Sequence, residues 1–281
     1  MARAAGGKRW EGEREKVDGG GGWFLISLTF AMAKHRFYIP ADRWNPERLV
    51  LEGEEAHHCL EVMRCREGDR VVVFNGAGAE AEAGIAGTAR GSVTLEAVLL
   101  GATPRPPAAI TLAQAVPKGK NMDLIVQKAT ELGASRIVPL LSERTVVQLD
   151  GGELEKKRRK WQRVAIEACK QCGQNWIPEI AAPVNVEAFV RSAKDPLRLV
   201  AAIGAGASPL KAILAAREQD GAPRPAAATV MIGPEGDFTP AEISTALSHG
   251  FLALSLGPII LRSETAAIYA LSITGHELMD R

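Results

Sequence analysis

Hydrophobic positions along this chain follow two different rhythms. From about residue 34 to 102, short apolar alternations such as "RVVVFNG", "AEAGIAG" and "SVTLEAVLL" are broken by Gly and Asn turn signals. That period predicts a small, mostly β domain. "ATPRPPAA", Ala102 to Ala109, follows as a Pro-rich hinge. Beyond it, over residues 108–281, apolar strands alternate with amphipathic helices. "ITLAQAV" reads as a strand and "NMDLIVQKATELG" as a helix ended by Gly133. "RIVPLLS" is the next strand, and "LEKKRRKWQRVAIEACKQCG" a long helix ended by Gly173. "RLVAAIG", "ATVMIG" and "FLALSLG" are three further apolar runs, each followed by a loop and a helical pattern. The alternation predicts an α/β domain: a mostly parallel sheet with helices on both faces.

The first 33 residues share neither rhythm. "MARAAGGKRWEGEREKVDGGGG" is rich in Gly and charge and is expected to be disordered. "WFLISLTFAMA" follows and ends in Ala31, Met32 and Ala33, as a signal peptide would. Against secretion, the leading segment carries acids as well as bases, and the apolar run is too short to span a bilayer. The preferred reading is an early start, with Met32, opening "MAKHRFYIP", as the true first residue.

Composition narrows the partners. With 34 Lys and Arg against 33 Asp and Glu, overall charge attracts no polyanion, so a nucleic acid must meet a local basic patch. Four cysteines in 281 residues are too few for a disulfide scaffold and fit a reducing, cytoplasmic setting.

Ligands of such sheets sit where strands lead into helices, and two loops there stand out. In "MIGPEGDFTPAEI", Gly233 and Gly236 permit a tight turn and close approach of a ligand, and Thr239, Pro240 and Glu242 form a capping box. In "LGPIILRSETAAIYAL", an apolar hairpin-like segment ends in Arg262, Ser263, Glu264 and Thr265 before a small-residue helix. Each loop alone is also readable as a plain turn with a helix cap.

Three competing signals are weak. "IGAGASP" begins like a dinucleotide fingerprint, but Pro209 stands where the third glycine belongs. Cys169 and Cys172 lie inside a helical pattern without a matching pair, and His57 and His58 point to different sides of any element, so no metal site is expected.

Taken together, the ordered motifs resemble the RsmE family of 16S rRNA uridine-N3 methyltransferases, within the SPOUT class. The resemblance runs from about Lys34 to the C-terminus. It is carried by "HRFYI", "HHCLEVMRCREGDRVVVFNG", "PKGKNMDLIVQKATELGASRIVPLLSERT", "KWQRVAIEACKQCGQNWIPEI", "IGPEGDFTPAEI" and "LSLGPIILRSETAAIYAL". It implies an N-terminal PUA-like β-barrel that helps hold RNA and a C-terminal domain threaded into a trefoil knot. It also implies a homodimer and S-adenosylmethionine bound in the knot loops.

By motif match the cofactor loops would be Ala202, Ile203 and Gly204; Ile232, Gly233, Pro234, Glu235 and Gly236; and Leu256, Gly257 and Leu261, with Thr265 and Ala266 beside them. Glu235 would fix the loop or the dimer contact. The substrate implied is a uridine of 16S rRNA in the small ribosomal subunit. Its N3 proton lies on the pairing edge, so the base must be unpaired or extruded. Catalysis then consists of alignment plus removal of that proton. Arg262 with Glu264 is the best-placed polar pair, and Arg144 with Glu143 the second; an acid at a helix start is an equal reading of Glu264.

For the RNA, Lys156, Lys157, Arg158, Arg159, Lys160 and Arg163 make a basic run along one helix, and Lys118 and Lys120 flank a glycine. His35, Arg36, Phe37 and Tyr38 combine cationic and stacking groups. The bland readings are a solvated helix face and a first strand with its aromatics inward. The chain departs from the family at Ile259, where a basic residue is common, and at Asp237, where a second glycine is common. A non-catalytic ribosome-assembly factor, a SPOUT enzyme acting on another RNA and a nicotinamide oxidoreductase are the alternatives.

Overall fold

The computed structural model describes residues 35–145, 151–204 and 206–279. The N-terminal extension, with Ala31, Met32 and Ala33, lies outside them. The first half is a five-stranded sheet of β1 (Arg36–Tyr38), β2 (Leu49–Glu52), β3 (Arg70–Phe74), β4 (Ala79–Ala89) and β5 (Ser92–Ala102), ordered β1-β3-β4-β5-β2. All its pairings are antiparallel except β1 with β3. Register shifts at Glu82/Ala83 and Ile85/Gly87 bend the long β4–β5 pair. Alternate residues of these strands, among them Phe37, Leu49, Leu51, Val71 and Val73, share one core with Ala56 of the short helix α1 (Gly53–His57). Full burial of each such side chain stabilises by about 1.5–3 kcal/mol.

Residues 103–108 lead into the second sheet, ordered β12-β10-β11-β6-β7-β8 and parallel throughout. Its strands are β6 (Ala109–Ala115), β7 (Arg136–Leu141), β8 (Glu179–Ile180), β9 (Val184–Asn185, paired with β7), β10 (Leu197–Ala201), β11 (Ala227–Ile232) and β12 (Leu252–Leu254). Burial on both faces explains the near-continuous apolar strand sequences. One face packs Ile110, Leu112, Leu199 and Val230 against α2 (Asn121–Glu131), α3 (Gly151–Cys172), α5 (Leu210–Gln219) and α7 (Ser263–Met279). The other packs Ala113, Leu140, Val200 and Met231 against α4 (Val186–Ser192) and α6 (Pro240–Ser248). The sequence patterns of β8, β9 and α4 are too short to announce themselves. The hairpin-like reading of "PIILR" does not hold, because residues 258–262 form no strand.

Candidate active site

The carboxyl ends of β10, β11 and β12 send three loops toward one cavity. Of the expected cofactor residues, Ala202, Ile203, Ile232, Gly233, Pro234, Glu235, Leu256, Gly257, Leu261 and Ala266 line it. Gly204, Gly236 and Thr265 do not. Ala201, Asp237, Ile259, Ile260 and Ser263 complete the lining. The walls are mainly apolar side chains beside bare glycine backbone. At Gly257, φ is 105° and the space a Cβ would take is open. Such a surface suits a flat apolar group held by backbone N–H and C=O.

The turn after β11 is fixed from several directions. A Cβ on Gly233 would stand 2.8 Å from Asp237 Oδ1 and 3.0 Å from the Phe238 nitrogen. Glycine is required there by the closure of the turn itself. At Gly236 the nearest such neighbour is Arg144 Cδ at 3.5 Å, an ordinary contact. Asp237 occupies the left-handed region at φ 61°, a conformation Asp tolerates better than most side chains because it can hydrogen-bond locally. Its Oδ1 accepts from the Phe238 N–H at 2.7 Å, which gives the departure from glycine a physical basis. The Thr239–Glu242 capping box is complete, with both reciprocal bonds present.

Distant segments hold the same turn. Lys118 N–H donates to Glu235 Oε1 at 2.9 Å, so Glu235 fixes the loop. Arg144 donates to the Gly236 carbonyl, and Glu143 N–H donates to Glu242 Oε1 at 3.0 Å. Both residues of the second expected catalytic pair thus brace the turn. Beneath it, the buried Ser263 hydroxyl donates to the Gly233 carbonyl at 2.7 Å and accepts from Gln114 Nε2 at 2.9 Å. This chain of bonds joins the end of β6, the start of α7 and the turn. Ser263 was read only as part of the polar loop before α7 and given no role, and Gln114 was missed; the signal for Gln114 was a lone amide in an apolar strand. Arg262 is exposed just before α7, and Glu264 is half-buried in its first turn.

The expected RNA face divides. Lys118, Lys120, Lys156, Arg159, Arg163 and His35 are exposed, and Lys157 and Arg158 are half-buried. Glu155 binds both Arg158, at 2.7 Å, and Arg159, at 2.9 Å. Hydrogen bonds from Arg158 first and Arg159 second hold its carboxyl down to about 2, and as an anion Glu155 offsets one positive charge of the run. Lys160 pairs with Asp123. Phe37 corrects the expectation outright: it is fully buried in the β core, beyond reach of a base. Arg36 is bound to Glu80 at 3.3 Å and to Asn175 Oδ1 at 2.6 Å, a structural arrangement.

Burial pushes the Cys169 thiol up to about 12, which makes it a poor nucleophile or ligand. Among the described residues no group of His, Cys, Asp or Glu could hold a metal ion, and no helix is long and apolar enough to cross a membrane.

A family model of the RNA methyltransferase domain matches residues 104–275, and one of the RNA methyltransferase PUA domain matches residues 51–98. The chain is 30% identical over 228 residues to a ribosomal RNA small subunit methyltransferase E of Bacillus subtilis, covering 81% of this chain and 89% of that one. A solved structure from Legionella pneumophila, in complex with the bound cofactor SAM, superposes with a TM-score of 0.77 at 37% identity, over 86% of this chain and 96% of that chain. A ribosomal RNA small subunit methyltransferase E from Neisseria gonorrhoeae, bound to S-adenosyl methionine, superposes with a TM-score of 0.77 at 29% identity, over 87% and 98%.

Proposed function

This chain belongs to the ribosomal RNA small subunit methyltransferase E family, and on that premise we propose that it methylates N3 of a uridine in 16S rRNA, using S-adenosylmethionine. The observation that carries the reading is the cavity where the loops after β10, β11 and β12 meet, with apolar side chains facing exposed glycine backbone. Its residues fit the cofactor. Ile203, Ile232, Leu256, Leu261 and Ala266 would enclose the adenosine, and the backbone of Gly233 and Gly257 would supply polar contacts. When bound, S-adenosylmethionine supplies an electrophilic methyl group. The knotted path of the C-terminal segment belongs to the same proposal.

The protein's own contribution is alignment and charge. The turn at Gly233–Thr239 is braced before any ligand arrives, so little reorganisation is left to the reaction. Arg262, exposed at the mouth of α7, balances the negative charge that proton removal leaves on the uracil oxygens. Glu264 accepts the N3 proton, and Arg144 and Glu143 act as positioning residues through Gly236 and Glu242. A second copy of the chain completes the enzyme as a homodimer. Leu124 on α2 and Tyr269 on the adjoining α7, both exposed, support a face that the copy covers.

Small ribosomal subunits lacking their native uridine methylation are the test substrate, with labelled methyl donor and mass spectrometry of the product. We expect 3-methyluridine at one site, and strong loss of transfer in Arg262→Ala and Glu264→Gln. Cofactor binding without that product would move the target to another RNA. RNA binding without cofactor binding would favour an assembly factor, and wild-type turnover in both variants would sink the residue assignment.

A further inference from the structure

We infer that "QNWIP", Gln174 to Pro178, is a positioning element for the RNA: it locks the β sheet to the methyl-transfer domain so that RNA held by one is presented in register to the other. The inference rests on the RNA-methylating reading above. None of its residues lines the cavity.

The lock is built from both side chain and backbone. Asn175 is 2% exposed. Its Oδ1 accepts from Arg36 Nη2 of β1 at 2.6 Å, and its Nδ2 donates to Thr103 Oγ1 at 2.9 Å. Its carbonyl accepts from the Gly78 N–H at 2.9 Å, and the Ile177 N–H donates to the Gly76 carbonyl at 3.1 Å. The indole N–H of Trp176 donates to the carbonyls of Thr103, at 3.0 Å, and Pro104, at 3.1 Å. Arg105 covers the Trp176 ring, 4.3 Å from its centre. The two glycines of the facing β turn are fitted to the segment. A Cβ on Gly78 would stand 2.5 Å from Trp176 Cζ2, and one on Gly76 would stand 2.5 Å from Ile177 Cδ1.

This placement couples the candidate RNA contacts. The helix that carries the basic run Lys156–Arg163 ends at Cys172, two residues before the lock, and His35 adjoins its partner Arg36. Lys170, near the end of α3, adds an ion pair to Glu55 of α1. Residues 103–108 alone would be a short irregular connection. The lock removes their freedom, so RNA that bridges the two surfaces does not have to order them on binding. The buried pairing also accounts for Arg36 as an architectural residue.

Asn175→Ala removes both side-chain bonds. Its steady-state methyl transfer is measured on undermethylated small subunits, with cofactor affinity and melting temperature followed in parallel. We expect KM for the subunits to rise on the order of tenfold, from two lost buried hydrogen bonds, with kcat and cofactor affinity close to wild type. Asn175→Asp, which keeps the acceptor for Arg36, should recover part of the loss. A folded Asn175→Ala enzyme with unchanged KM, or a defect confined to kcat or cofactor affinity, overturns the inference. Where Asn175→Ala does not fold, Trp176→Phe, which removes the indole donor and the part of the ring packed on Gly78, carries the same expectation with a smaller rise. Should the wild-type enzyme transfer no methyl, the methylation reading fails separately. Direct affinity of wild-type and Asn175→Ala protein for 16S rRNA then decides the lock: weaker binding by the variant supports it and equal binding overturns it.

Discussion

The turn after β11 and the loop after β12 face the same cavity and are built in opposite ways. Residues 233–239 are held by their own backbone, by Asp237 and the Thr239–Glu242 box, and by Lys118, Arg144 and Ser263 from three other segments. Residues 255–262 are held, among the described residues, by Ser255 N–H to the Ser208 carbonyl at 2.9 Å, by Gly257 N–H to Ser255 Oγ at 3.3 Å and by Ala266 N–H to the Arg262 carbonyl at 2.8 Å. Their Ile259 and Ile260 side chains stand 75% and 80% exposed. Local openings concentrate where bonds and buried contacts are few. One wall is therefore set before a ligand binds, and the other has apolar surface to gain when one does.

The sharpest way to break the rigid wall is Gly233→Ala. The added Cβ collides with Asp237 and the Phe238 backbone, so we expect a loss of about 1–3 kcal/mol in unfolding free energy and a large loss of cofactor affinity. Gly236→Ala, facing only Arg144 Cδ, should stay within about 0.5 kcal/mol of wild type. Chemical denaturation and calorimetric titration of both variants check the contrast, and equal behaviour would mean that the turn yields.

Asp237→Ala is expected to come next. It keeps the left-handed backbone but removes the acceptor for the Phe238 N–H, at a cost of about 1–2 kcal/mol. An unchanged denaturation midpoint would show that the side chain contributes nothing to the turn.

The smallest effect on stability, and the one that sharpens the comparison, belongs to Ile260→Ala. The free protein should unfold within about 0.5 kcal/mol of wild type, while cofactor affinity falls roughly three- to tenfold from lost apolar contact. Hydrogen exchange should slow on cofactor addition across residues 255–262 and change little across 233–239. Equal protection of both segments would erase the distinction between the walls.

Much of the architecture was legible beforehand. The change of period near residue 102, the helix ends at Gly133 and Gly173, and the capping box at Thr239 are local signals, and each is met in the structure. They are readable because backbone freedom and side-chain alternation act over a few residues. Two of the three cavity loops carry local signals, glycines and polar residues at strand ends, whereas the loop after β10 was marked by the family resemblance alone.

Other roles depended on partners far along the chain, which no local period encodes. "RFY" shows a cation followed by two aromatic residues, but only the packed β sheet decides that Phe37 points into the core and that Arg36 meets Asn175. A basic run is visible in the sequence, yet the pairing of Arg158 and Arg159 needs Glu155 folded onto the same helical turns. Gln114 and Ser263 meet across 149 positions, and Arg144 reaches the Gly236 carbonyl across 92. The sequence by itself determined the longer elements, their order and two of the loops of the site. Tertiary structure decided which polar groups brace those loops and which remain free to meet RNA, because a buried hydrogen-bonding group takes whatever partner the completed packing brings to it.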